Sequence, residues 1–282
     1  MQALAREFNF SETTFVLPPR NSRATCRLRC FSPVAEVFGA GHNALGAWWV
    51  IIAGDYLTLK ESGSVWQELG DSVLPVDFTF DSGALRRIAM TQAVTRESSI
   101  ALERMVLARA LAVDDHALNM PEVSPRVVST GATTHLLVSV RSLAELLRVR
   151  VQAEKLISLV RPLGCEGCYC YCLETLERTS LAHARGFFPR IGIAEDPATG
   201  SAAGPLAAHL VARGFAPHGE WLTIEQCDEV NRPGRIKVRV INQRIEVGGA
   251  CTICWIRQDL SPEDGCGCDS LALGYRTLED LI

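Results

Sequence analysis

Apolar residues recur along this chain with two periods, and the alternation between them lays out a succession of strands and helices. A period of two predicts strands at Thr14 to Leu17, Thr25 to Phe31, Val76 to Phe80, Leu85 to Gln92 and Thr134 to Val140. Further strands follow at Cys168 to Leu173, Trp221 to Gln226, Ile236 to Ile241 and Ile245 to Trp255. Asp81-Ser82-Gly83 supplies a turn between two of them. Helical spacing of Leu102, Met105, Val106 and Ala110 predicts a helix over Glu97 to Leu111. Asn43 to Ala53 and Ser201 to Arg213 are apolar helices, ended by Gly54 and Gly214. Ser142-Leu143-Ala144-Glu145 is a capping box, opening a helix that runs to about Leu159.

The order of these pieces repeats. Phe31-Ser32-Pro33 precedes Gly41-His42, an apolar helix, Gly54 and then Leu57-Thr58-Leu59. Phe187-Phe188-Pro189 precedes Gly200-Ser201, an apolar helix, Gly214 and then Leu222-Thr223-Ile224. Such an order is that of a duplicated unit with a loop-to-helix junction at matching places. Two such junctions facing each other would form a cleft, a common place for a ligand.

The segment Glu195-Asp196-Pro197-Ala198-Thr199-Gly200-Ser201 stands at one junction. Pro197 keeps Asp196 extended, Gly200 permits close backbone approach, and the following helix start offers unbonded N–H groups at its positive end. That combination suits a carboxylate ligand. It equally suits a plain core helix in which Thr199 or Ser201 is the N-cap and Asp196 a turn residue. Glu12, in Ser11-Glu12-Thr13, and His42, in Gly41-His42-Asn43, each read alone as ordinary polar residues at element ends.

Composition narrows the class. The chain has 282 residues, 48% of them hydrophobic and 21% charged, enough for two ordinary domains or one large one. The net charge is −4 and there is no basic stripe with interleaved aromatics, so no nucleic-acid partner is expected. The longest apolar run, Ala44 to Ala53, is too short to span a bilayer, and the N-terminus has no secretory pattern. A cytoplasmic protein without a membrane partner is expected. Eleven cysteines, an odd number, argue against a disulfide framework. Cys165 and Cys168 have the spacing of half a zinc site, but Cys168, Cys170 and Cys172 alternate with Tyr169 and Tyr171, which places thiols on one strand face. Structural thiols without metal are expected. Cys266 and Cys268 fall in a loop and have no role assigned.

Four blocks, taken together, resemble the phenazine-biosynthesis PhzF-like family. Gln2 to Val16 resembles its "iA-x-E-x-N-x-SET-x-F" stretch, and Arg29 to Pro33 with Glu36 and Gly41-His42 resembles its "R-x-F-[ST]-P-x-x-E…GH" block. Glu195 to Ala202 matches "EDPATGSA", and Gln226, Arg232-Pro233 and Val247-Gly248-Gly249 match the closing "Q-G…RP…v-x-GG". The resemblance implies a diaminopimelate-epimerase-like α+β fold of two pseudo-symmetric halves, each a curved, mainly antiparallel sheet wrapped round a central helix. It places the first half at residues 1–120, the second at 121–260, and a C-terminal segment, 261–282, returning to the first half. The implied activity is isomerisation of a small carboxylate of the trans-2,3-dihydro-3-hydroxyanthranilate type, by acid–base catalysis in a homodimer with no metal or organic cofactor. Glu12 would shuttle the proton, His42 and Asp196 would hold and polarise the substrate, and Gly41, Thr199, Gly200 and Ser201 would line the binding site between the halves. Related epimerases use two cysteines where this chain has His42 and Asp196, which disfavours a two-thiol racemase. An amino-acid or hydroxy-acid epimerase and a catalytically impaired binding or dimerising protein remain the alternatives. Two departures stand out: the strand and Gly-Asn-Pro turn that open family chains are missing here, and Cys227 replaces the glycine after Gln226. Loss of that strand would leave an unpaired edge in the first half.

Overall fold

A computed structural model describes residues 1–10, 12–38, 41–92, 96–119, 125–130, 133–230, 232–242, 244–253 and 271–273. The chain is mixed α+β, as expected, and divides into two compact units, Met1–Met90 with Gly248–Ile282, and Thr91–Val247.

The first unit opens with α1 (Gln2–Phe8), β1 (Thr13–Leu17), β2 (Cys26–Phe31) and β3 (Glu36–Val37). It continues with α2 (His42–Ala53), β4 (Gly63–Leu69), β5 (Ser72–Asp81) and β6 (Ala84–Gln92). The sheet runs β1–β2–β4–β5–β6, with β3 alongside β2; only β2 and β4 are parallel. The β5–β6 turn has Ser82 and Gly83 both at positive φ, the twist-compatible hairpin geometry that this dipeptide tolerates. Every residue of α2 from Asn43 to Ile52 is buried, whereas a surface helix would bury one stripe. Trp48, at its centre, packs with Leu28, Val76, Phe78 and Ile88 and donates its indole N–H to Gln67 Oε1 at 2.9 Å. The strand beside β2 is β4, beyond the Leu57-Thr58-Leu59 triplet that the repeat suggested.

The second unit begins with β7 (Arg96–Ser99), α3 (Arg104–Leu111), β8 (Arg126–Ser129) and β9 (Thr134–Ser139). Then come α4 (Leu143–Arg148), α5 (Ala153–Val160), β10 (Gly167–Cys172), β11 (Ala182–Phe188) and β12 (Ile193–Asp196). It closes with α6 (Gly200–Ala212), β13 (Trp221–Gln226), β14 (Gly234–Ile241) and β15 (Arg244–Gly249). The strand order is β15–β14–β13–β11–β10–β9–β8–β7, with β12 on β11; β9–β10 and β11–β13 are parallel. One face packs on α6, through Tyr169, Tyr171, Ala184 and Val238. The other packs on α3, α4 and α5, and it is this face that carries Cys168, Cys170 and Cys172. The period-two reading of that segment is therefore correct. Outside both runs, Leu271–Leu273 (β16) pairs antiparallel with β1, Phe15 opposite Ala272.

Three element readings need correction. Arg96–Ser99 is a strand on β8 and the helix starts only at Arg104, because pairing with Arg126–Ser129 takes the segment that periodicity assigned to the helix. The helix from Ser142 is broken. Ser142 does cap Glu145 N, at 3.2 Å, but Arg150 N and Gln152 N are captured by Leu111 O and Ala110 O at the end of α3. The last strand stops at Gly249, with 254–255 outside the described residues. Strand β11 has no β-branched residue and was invisible to periodicity; all seven of its residues are buried. Residues 91–120 group with the second unit, where α3 packs against α5.

Candidate functional site

In the first unit the start of β1 and the start of α2 bring Glu12 and His42 together. Gly41 is the N-cap of α2, accepting from Leu45 N at 3.0 Å, so His42 is the first helical residue. Thr13 pairs with Phe31 at the end of β2, which sets Glu12 just past the ladder. His42 Nε2 lies 2.8 Å from Glu12 Oε2, and the Glu12 side chain is only 6% exposed. This is an ion-pairing distance without hydrogen-bond alignment: Glu12 Oε2 accepts no hydrogen bond from the described residues. A buried carboxylate oxygen in that condition is costly unless something else comes to it. Ser11 lies outside the described residues.

In the second unit Asp196, Thr199, Gly200 and Ser201 meet at the start of α6. Asp196 ends β12 opposite Gly186 on β11. Thr199 is the N-cap residue, yet its hydroxyl makes no capping bond; it donates to Asp196 Oδ2 at 2.5 Å. The helix start thus receives no side-chain cap from Thr199. Gly186 makes the arrangement possible, since a Cβ there would stand 2.7 Å from Thr199 Oγ1.

Gln226, at the end of β13, ties the loop down with its whole amide. Its Oε1 accepts from Thr199 N at 3.0 Å and from Tyr169 OH at 2.8 Å. Its Nε2 donates to Asp196 O at 2.5 Å and Thr199 Oγ1 at 3.0 Å. The next residue, Cys227, has φ +64, a left-handed backbone that glycine adopts without strain. That explains a glycine in the family pattern; here the thiol Sγ, 3.1 Å from Asp196 O, donates to it. Gln92 Nε2 donates to Gly200 O at 2.7 Å and so steadies the first turn of α6.

Behind each helix start the same brace occurs. Arg29 binds Glu36 through Nε and Nη2, at 2.8 and 2.7 Å, and stacks on Phe31. Arg185 binds Glu195 through Nε and Nη2, at 2.8 and 2.9 Å, and stacks on Phe187. Glu68 accepts from Arg20 N and Asn21 N; Glu225 accepts from Leu176 N and Glu177 N. Bidentate guanidinium–carboxylate pairs fix both partners in angle as well as distance. Among these, the sequence reading noted Arg29, Glu36 and Glu195 only as motif letters; Arg185, Glu68 and Glu225 carried no local signal.

His135 was also missed. It lies on β9, its ring 5.1 Å from that of Phe188, and its Nε2 is 3.0 Å from Ser201 Oγ. Burial pushes its pKa down to about 4, so the imidazole is neutral. Of the clustered cysteines, Cys168 and Cys170 Sγ are 3.8 Å apart, a hydrogen bond to Cys170 and burial raise the Cys168 pKa, and burial raises Cys165, just before β10, to about 11 and Cys172 to about 12. Among the described residues no three His, Cys, Asp or Glu side chains are placed to hold an ion.

What the two helix starts offer is a buried carboxylate beside an imidazole, and a braced Asp–Thr pair beside a weakly capped helix N-terminus. Several similar proteins are named isomerases. A trans-2,3-dihydro-3-hydroxyanthranilate isomerase of Pseudomonas chlororaphis is 30% identical over 254 residues, 88% of this chain and 84% of its own length. An uncharacterized isomerase of Clostridium acetobutylicum is 31% identical over 85% of this chain and 79% of its own length. A crystal structure of a Bacillus anthracis phenazine biosynthesis protein of the PhzF family matches with TM-score 0.79 and 26% identity, over 88% of this chain and 84% of that one. The sequence pattern of the phenazine biosynthesis-like proteins matches residues 1–255, and the chain belongs to this family of isomerases.

Proposed function

We propose that this protein moves a proton between carbons of a small, conjugated carboxylate without a cofactor, trans-2,3-dihydro-3-hydroxyanthranilate being the reference substrate. The observation that carries this reading is Glu12: a buried carboxylate, 2.8 Å from His42 and with an oxygen that accepts no hydrogen bond from the described residues. In the proposed reaction the Glu12 carboxylate takes a proton from a saturated ring carbon. The C–H electron pair moves into the conjugated system, and the Glu12 carboxylic acid returns the same proton to a second carbon. No electrons are gained or lost, and Glu12 ends as it began. His42 orients the Glu12 carboxyl, and Asp196, fixed by Thr199, holds a polar group of the substrate. The N–H groups at Gly200 and Ser201 receive the substrate carboxylate and so fix its orientation. The protein is proposed to work in the cytoplasm as a homodimer; no described helix is long and apolar enough to cross a membrane.

The test is deuterium incorporation from heavy water, using the reference substrate and a panel of cyclic amino and hydroxy acids. Glu12→Gln keeps the shape and removes the exchangeable proton, so exchange should fall ~10²–10⁴-fold with little change in affinity. Asp196→Asn should weaken affinity as well as exchange. Near-normal exchange by Glu12→Gln refutes Glu12 as the shuttle, and an inert wild type across the panel refutes the reaction.

A further inference from the structure

We infer that His135 is a positioning residue: its Nε2–H donates to Ser201 Oγ and leaves the Ser201 hydroxyl proton for an anionic oxygen arriving at the start of α6. The inference deepens the reading of Ser201 as a ligand-binding residue and rests on it.

His135 sits mid-sheet, between Val128 on β8 and Gly167 on β10, and is 2% exposed. Its Nε2 is 3.0 Å from Ser201 Oγ, while its Nδ1 is buried and has no partner among the described residues. A neutral ring has one proton to place. On Nδ1 it would be an orphaned buried N–H, and Nε2 would accept the Ser201 proton. On Nε2 it is used by Ser201, and Nδ1 carries only an unshared, buried lone pair. Orphaned buried N–H groups are the rarer and costlier case. The Nε2–H form therefore prevails. With Oγ already accepting, the serine O–H is the donor that remains. It stands at residue 2 of a 13-residue helix whose N-terminal end favours negative charge.

A histidine on a serine also invites a nucleophilic reading. The surroundings oppose it. Burial holds the imidazole pKa near 4, too low for a base that must take a serine proton near neutrality. Nor does any described carboxylate brace Nδ1, as the orienting member of a triad does.

Two arms test this. In the first, the protein is labelled with ¹⁵N-histidine and its imidazole nitrogens are observed by NMR at pH 7. The His135 signals are assigned by their loss in His135→Gln. The expected result is a protonated Nε2 and an unprotonated Nδ1, with the Nε2 resonance moving in Ser201→Ala; an Nδ1–H ring overturns the inference. The second arm measures affinity for anthranilate, an aromatic carboxylate with no saturated ring carbon to deprotonate. His135→Leu should weaken binding about tenfold, and His135→Gln, which keeps an N–H donor, should recover most of it. In a Ser201→Ala background His135→Leu should cost nothing more. A full tenfold loss in that background means a merely structural histidine and overturns the inference. A wild type that binds no anthranilate fails the substrate reading, and the NMR arm then decides His135 by itself.

Discussion

Replacing His183 should destabilise the second unit in a pH-dependent way. His183 on β11 is fully buried between two carboxylates: Nδ1 is 2.8 Å from Glu225 Oε2 and Nε2 2.7 Å from Glu229 Oε1. With an oxygen acceptor at each nitrogen, the ring is held as the doubly protonated imidazolium. Burial by itself would lower its pKa, but the hydrogen bonds and charges of Glu229 and Glu225 outweigh burial and raise it. Glu229 and Glu225 are themselves lowered: burial opposes this, while His183 and, for Glu225, the Leu176 and Glu177 amides favour it. The signs then define a window. The histidine contribution is complete below its unfolded value of about 6.5 and is lost as pH rises through the higher folded value. The glutamate contributions are complete above about 4.5 and are lost as pH falls through their lower folded values. The cluster is therefore worth most near pH 5.5. His183→Leu strands two buried carboxylates, a loss of ~3–5 kcal/mol. Glu225 keeps its two backbone donors and Glu229 keeps the charge of Arg185, so the lower end, about 3 kcal/mol, is expected. In a unit the size of Thr91–Val247 that is a fall in Tm of roughly 6–12 °C. Thermal unfolding of wild type and His183→Leu at pH 5.5 and pH 9 measures it. The loss should be large at pH 5.5 and clearly smaller at pH 9. An equal loss at both values, or a stabilised variant, refutes the imidazolium bridge.

Gln226→Leu removes the partner of Tyr169 OH, Thr199 N and Asp196 O at once, and should cost more than ~3 kcal/mol in urea unfolding; a cost under ~1 kcal/mol would show that the amide is not what ties down the α6 loop. Among the described residues, the seven buried cysteines, Cys26, Cys30, Cys165, Cys168, Cys170, Cys172 and Cys227, should resist a charged thiol reagent until the protein is unfolded, and mass mapping of native labelling on any of them contradicts their placement.

The sequence was enough for whatever depends on neighbours in the chain. The α2 and α6 helices followed from long apolar runs closed by glycine, β13 from its local pattern, and the β5–β6 turn from Asp81-Ser82-Gly83. Ser142 was legible as a cap because its bond to Glu145 N is three residues long. The motif letters led to the family and to Glu12, His42 and Asp196, but each of these alone looked like an ordinary polar residue. Their surroundings come from far away in the chain. His42 reaches Glu12 only because β1 and the α2 start converge, and Asp196 is fixed by Gln226 only because β11 lies beside both β12 and β13. The break between α4 and α5 was undetectable locally, since the carbonyls that capture Arg150 and Gln152 belong to α3. His135 and His183 gave no signal because a buried histidine is written like an exposed one. Burial drives the first neutral and two carboxylates keep the second charged, and those opposite outcomes were decided by tertiary packing, which sets solvent access and partner distance.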